Sequence, residues 1–124
     1  MAIDPSRESF ERFVTADAPG PVVMLNLLRF ADRSGYEAYL RATAPFLAKV
    51  GGEVVYAGLG GDALVAESGQ AWDAVLLVRY PSRAAFAAMV ADRGYREVTK
   101  LRALALEEAV LQPTVPWPGI APTR

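Results

Sequence analysis

The stretch Val22–Phe30, VVMLNLLRF, constrains the fold more than any other part of the chain. It is mostly aliphatic, interrupted by one amide, Asn26, and one charge, Arg29. A half-exposed strand alternates apolar with polar residues, whereas a continuous apolar run needs cover on both faces. Helices of the same chain can supply one cover. A chain of 124 residues has little left for the other, so a second copy is the expected cover. The segment Trp72–Tyr80, WDAVLLVRY, repeats this composition, with polar groups near its ends and an aliphatic middle, and reads as a second central strand.

The other elements follow from caps, breakers and periodicity. Asp4 and Pro5 suit the N-cap and first position of a short amphipathic helix carrying Phe10, Phe13 and Val14, which ends before Ala18-Pro19-Gly20-Pro21. Ser34 with Glu37 three places on has the spacing of a capping box, and opens a helix whose buried face is Tyr36, Tyr39, Leu40, Thr43, Leu47 and Val50. Gly51-Gly52 ends it, and Pro45 predicts a kink near Arg41 to Pro45. Glu53–Leu59 has strand composition and is broken by Gly60-Gly61-Asp62; a short strand over Leu64–Ala66 is expected in the connection that follows. Ser82 caps a helix over Arg83–Ala91 with Phe86, Met89 and Val90 on one side. Gly94 is expected to interrupt it, and a further turn or two from Tyr95 carries Val98, Leu101, Arg102 and Ala105. Glu108–Gln112 reads as a final short strand before Pro113.

The whole chain, residues 1–124, is read as one domain: a core over about 22–112, an accessory helix within 1–21, and an extended proline-rich tail over 113–124 that holds Trp117. Strand, helix, strand, strand, helix, strand folds into an α+β ferredoxin-like βαββαβ unit, a four-stranded antiparallel sheet with its helices on one face. With Val23, Leu25 and Leu27 toward the helices, Val22, Met24, Asn26, Leu28 and Phe30 would form an apolar patch on the open face. Two sheets meeting there would give a homodimer with a shared interior, a dimeric α+β barrel. The accessory helix and the tail are the alternative cover within one chain.

Composition removes several function classes. Thirteen basic residues against fourteen acidic ones, with no basic run, leave no electrostatic footprint for nucleic acid. The absence of Cys removes a disulfide framework and a thiol nucleophile, and the absence of His removes the commonest general base and transition-metal ligand. Zinc hydrolases, serine triads and haem held by a proximal histidine are therefore poor matches, and no metal site and no cofactor are expected. Neither a signal peptide nor an apolar span of about 18 residues is seen, so no membrane association is expected and a cytoplasmic location is the default.

The phrase MLNLLRF, the Tyr36-x-x-Tyr39 helix ending in Gly51-Gly52, the stretch WDAVLLVRYPSRAAF with Arg83 and Phe86, and the closing RALALEEAVL resemble the family labelled domain of unknown function 1330, over Val22 to about Gln112. The resemblance implies membership of the dimeric α+β barrel superfamily and hence a homodimer. That superfamily is associated with cofactor-independent monooxygenases, muconolactone-type isomerases and some haem enzymes. Members often carry a His beside the arginine near the end of the second helix; here Lys100 and Leu101 precede Arg102.

Candidate site residues are the polar groups out of place in apolar surroundings. Asn26 must be hydrogen-bonded wherever it is buried, either tying strands or subunits together or contacting a ligand. Arg79 and Asp73 share a face of their strand near opposite ends, and Arg29 is a similar strand-end charge. Tyr56 is mid-strand with Gly58 two places on, where a missing side chain leaves room for a ligand. Met24, Leu28, Trp72, Tyr80 and Arg102 complete the candidate lining, with Arg102 able to bind an anion or to pair with Glu107. In the leading reading a small aromatic or carbonyl compound binds in the barrel interior for proton transfer or cofactor-free oxygenation. Asn26 and Arg79 then stabilise an enolate or phenolate and Tyr56 handles a proton. A non-catalytic binding or sensing module with the same cavity, and a filled dimer acting through its surface, are the alternatives.

Overall fold

The computed structural model describes residues 3–122. In chain order the elements are α1 (Arg7–Thr15), β1 (Val22–Phe30), α2 (Arg33–Lys49), β2 (Glu53–Leu59), β3 (Ala74–Tyr80), α3 (Arg83–Ala91), α4 (Arg93–Ala105) and β4 (Leu106–Thr114). The strands form one four-stranded sheet in the order β2-β3-β1-β4, with every pairing antiparallel. This is the expected ferredoxin-like fold, and its two most apolar strands, β1 and β3, occupy the centre.

The parity of β1 is the reverse of that expected. Val22, Met24, Asn26 and Leu28 are buried and pack with Tyr36, Tyr39, Phe86 and Met89 of the helices. Val23, Leu25 and Leu27 lie on the open face, only half-buried, beside Val75 and Leu77 of β3. Both sets are apolar, so the sequence run holds no polar residue that marks the solvent side. Met24, Asn26 and Leu28 therefore belong to the sheet–helix layer and not to an interior shared between subunits.

Other boundaries shift for local reasons. Ser6, not Asp4, caps α1, its hydroxyl accepting from Ser9 N at 3.1 Å. The Ser34–Glu37 capping box does not form: Asp32 is the N-cap of α2, the Ser34 hydroxyl donates to Asp32 Oδ1 at 2.8 Å, and Glu37 pairs with Arg33 at 3.5 Å. The helix α2 continues through Pro45, on its exposed side, to Lys49. Residues Leu64–Ala66 form no strand, and Leu64 and Val65 are wholly exposed. The break after α3 falls at Asp92, ahead of Gly94: its extended backbone (ψ 130°) ends α3, and its carboxylate accepts from Gly94 N at 2.8 Å to start α4, a full helix of 13 residues. Trp72 and Asp73 precede β3; Asp73 Oδ2 accepts from Phe30 N at 2.8 Å and so extends the β1–β3 edge. The last strand is longer than Glu108–Gln112 and runs through Pro113, which an edge strand tolerates.

The accessory helix α1 docks on the helix side. Phe13 meets Phe86 edge to face at 5.2 Å between ring centroids, and the Arg83 guanidinium lies 4.6 Å from the Phe13 ring centre while donating to Phe13 O. Trp117, in the tail, is exposed.

Candidate functional site

Between the helix-facing side of the sheet and α2, α3 and α4 lies a cavity of about 420 Å³, within the size range of small-molecule sites, roughly 300–1,000 Å³. Its floor is Met24 and Asn26 of β1 and Leu76, Val78 and Tyr80 of β3; Ala57 of β2 and Leu111 of β4 close its sides. Its roof is the buried stripe of α2, Tyr36, Tyr39, Leu40 and Thr43, with Met89 of α3 and Tyr95 and Arg102 of α4. Asp4 and Pro5 stand at its edge. The helical period that buries Tyr36, Tyr39 and Thr43 is also what gathers three hydroxyls along one wall.

The polar atoms of this wall are few and unevenly satisfied. The Tyr39 and Tyr95 hydroxyls share a hydrogen bond of 2.7 Å. Asn26 Nδ2 donates to the carbonyls of Met24 (3.3 Å) and Leu76 (3.4 Å), so the bonds that fix the amide use its nitrogen and leave Oδ1 as its free face. Thr43 Oγ1 and Arg102 Nη2 are buried and have no hydrogen-bond partner among the described residues. Burial pushes the Tyr36 phenol up to about 12, with the positive charge of Arg102 working in the opposite direction. Burial likewise raises Tyr39 and Tyr80, reinforced at both by the neighbouring Tyr95. These phenols are neutral at physiological pH and so keep a proton to donate.

The expected site residues divide between two faces. Met24, Asn26 and Arg102 line the cavity. Leu28, 1 % exposed, is core, at the margin of a smaller cleft of about 230 Å³ beside Phe30, Ala57 and Leu59. Tyr56 and Arg79 are on the open face, away from Asn26. The cause for Tyr56 is a β-bulge at Val55: Val54 pairs with Val78 of the helix side, yet Tyr56 pairs with Leu77 of the open side. The space above Gly58 is taken by the Tyr56 ring itself, since a Cβ built there would come 2.5 Å from the Tyr56 hydroxyl. Arg79, half-buried, faces the exposed Glu53 at 3.9 Å. Trp72 lies under the Arg29 guanidinium, 4.6 Å from the ring centre. Arg29 also pairs with Glu108 at 3.2 Å and donates to the carbonyls of Ala71 and Gly69, so Arg29 and Trp72 clamp the β2–β3 connection. Arg102 pairs with Asp4 at 2.9 Å and not with Glu107. The proposed trio of Asn26, Tyr56 and Arg79 is thus not brought together. The cavity also gathers Tyr36, Tyr39, Thr43, Tyr95 and Asp4, none of them among the site candidates drawn from sequence. The signal for the first three was a helix face counted as apolar although it carries three hydroxyls.

These features define a ferredoxin-like α+β domain with a ligand-sized cavity on the helix side of its sheet and an apolar open face. The chain belongs to the domain of unknown function family DUF1330, whose model matches residues 22–112. It is 37 % identical to a Rhodopseudomonas palustris protein of unknown function, RPA0582, with 93 % of this chain and 96 % of that one covered and a TM-score of 0.86. More distant likenesses share the fold. One is to a dimeric ferredoxin-like protein of unknown function from Thermobifida fusca (16 % identity, 81 % and 94 % covered, TM-score 0.52). Another is to SnoaB, a cofactor-independent oxygenase from Streptomyces nogalater (22 % identity, 81 % and 98 % covered, TM-score 0.53). No curated protein matches the chain. No helix among the described residues is long and apolar enough to cross a membrane.

Proposed function

We propose that the cavity binds a small, largely apolar molecule with an enolisable or phenolic oxygen, and that the protein oxygenates or isomerises it without a cofactor. The observation that carries this reading is the cavity itself: a largely apolar chamber whose polar groups include neutral phenols, an amide and a buried guanidinium. Such a wall suits an oxyanion, because donors in a low-dielectric site stabilise developing negative charge without reorganising. SnoaB is a cofactor-independent oxygenase on the same fold, an analogy of architecture that does not by itself fix activity. In the oxygenation an acidic methylene of the substrate loses a proton to solvent, and the carbanion's electron pair reduces dioxygen, forming a carbon-bound hydroperoxide. Loss of water from that hydroperoxide leaves a carbonyl, so one dioxygen is consumed per ketone and water formed. The site's part is to hold the enolate oxygen against the Tyr39–Tyr95 hydroxyl pair.

An oxygen electrode with anthrone-type and 1,3-dicarbonyl compounds tests this. Uptake proportional to protein, matched by product and abolished in Ala57→Phe, which fills the cavity from an edge strand, is expected. Uptake unchanged in that variant would refute the site. Binding without turnover is the second reading, favoured by a wall whose hydroxyls are held neutral and whose carboxylate, Asp4, is engaged by Arg102. We also propose that two copies pair through the open sheet face, where Val23, Leu25, Leu27, Val75 and Leu77 stand together without cover; the Thermobifida fusca protein on the same fold is described as dimeric.

A further inference from the structure

Arg102 is 6 % exposed, and a guanidinium stays protonated even when buried. Taking such a charge out of water is costly unless a counter-charge and hydrogen bonds satisfy its donors. Its compensation is one-sided. Nη1 donates to Ile3 O at 2.8 Å and to Asp4 Oδ1 at 2.9 Å, while Nη2 has no partner among the described residues. The counter-charge is itself poorly placed, because the Asp4 side chain is 65 % exposed and belongs to the segment ahead of α1, outside the sheet–helix frame. Exposed carboxylates are screened by solvent and neutralise a buried cation weakly.

Tyr36 stands close enough to this half-satisfied cation to feel its charge, and Thr43, whose buried hydroxyl is also unpartnered, lies two turns further along α2 on the same cavity wall. The rest of the lining is mostly apolar, through Leu40, Leu76, Val78, Phe86 and Met89, with Asn26, Thr99, the other tyrosines and the exposed Arg96 as its further polar groups. A planar two-oxygen anion matches a guanidinium fork better than any neutral group does. Resting on the reading that the cavity is the site, we propose that its ligand is an apolar carboxylate. Its body fills the chamber, and its carboxylate binds Arg102 through Nη2 with Tyr36 as a further donor. Asp4 is the resident counter-ion that this carboxylate supplants.

Isothermal titration with an isosteric pair, 2-naphthoate and 2-naphthamide, tests the assignment. Wild type is expected to bind the carboxylate about tenfold or more tightly than the amide, as charge-assisted bonds require. Arg102→Gln should erase that preference. Asp4→Asn, a surface change that keeps an acceptor for Nη1, should strengthen 2-naphthoate several-fold and leave 2-naphthamide unchanged. Equal affinity for the two compounds in wild type would overturn the carboxylate assignment and leave the cavity standing. Failure of both compounds to bind wild type and Asp4→Asn would overturn the cavity reading with it. Weaker 2-naphthoate binding in Asp4→Asn would show that Asp4 helps the ligand, against the proposal.

Discussion

Leu25→Glu probes the open sheet face at its centre. Leu25 pairs with Leu77 on one side and Gln112 on the other, and is half-buried in the single chain. Complete burial of a leucine side chain contributes roughly 1.5–3 kcal/mol, so sealing what remains exposed adds about 1 kcal/mol per copy in the dimer. A carboxylate left unpaired there costs about 3 kcal/mol or more. A twofold interface meets each change twice, for a total near 8 kcal/mol. Relaxation and protonation of the glutamate reduce this, which leaves a dimer dissociation constant raised by at least about 10⁴-fold. Light scattering coupled to gel filtration at about 10 μM reads the outcome. Wild type should give twice the 13.3 kDa chain mass and Leu25→Glu the chain mass itself. Since Leu25 is already partly wet in one chain, the variant should remain folded by circular dichroism. A Leu25→Glu protein that stays dimeric would place the interface elsewhere, and a monomeric wild type would leave the open face bare.

Two further outcomes follow from the core and from the buried phenols. Leu28, 1 % exposed, packs between the sheet and the helices, so Leu28→Ala should lower unfolding stability by about 3–5 kcal/mol in a denaturant titration, with cavity formation adding to the lost transfer energy. Because burial raises Tyr36 (to about 12), Tyr39 and Tyr80 above the ordinary value of 10.0, their contribution is intact below pH 10 and declines as pH rises above it, that of Tyr36 being lost through about 12. The denaturant midpoint should therefore hold at pH about 8 and fall by pH about 11, with a smaller fall in Tyr36→Phe.

The strands were legible because continuous aliphatic runs have few alternatives: β1 and β2 have the expected ends, and β3 differs only where Trp72 and Asp73 serve the connection. What the run could not convey was parity. Alternation is the signal that assigns a face, and VVMLNLLRF has apolar residues in both phases, so the run by itself does not say that Met24, Asn26 and Leu28 face the helices. Tyr56 was displaced by the opposite kind of event: regular pairing would place it across from Leu76, near Asn26, and a single bulged residue turned it over. Backbone hydrogen bonding decides a bulge, and composition carries no trace of it. The Arg102–Asp4 pair joins residues 98 apart in the chain, beyond the reach of any local pattern.

The central claim is that small molecules enter the space between the sheet and the helices. The chain has three methionines, and two of them, Met24 and Met89, line opposite walls of that space. Titrating 2-naphthoate into protein labelled at the methionine methyl carbons and following the methyl resonances tests it most directly. The Met24 and Met89 signals should shift together and saturate with the affinity found by calorimetry. Binding that saturates while both signals stay in place would put the ligand outside the cavity and contradict the account.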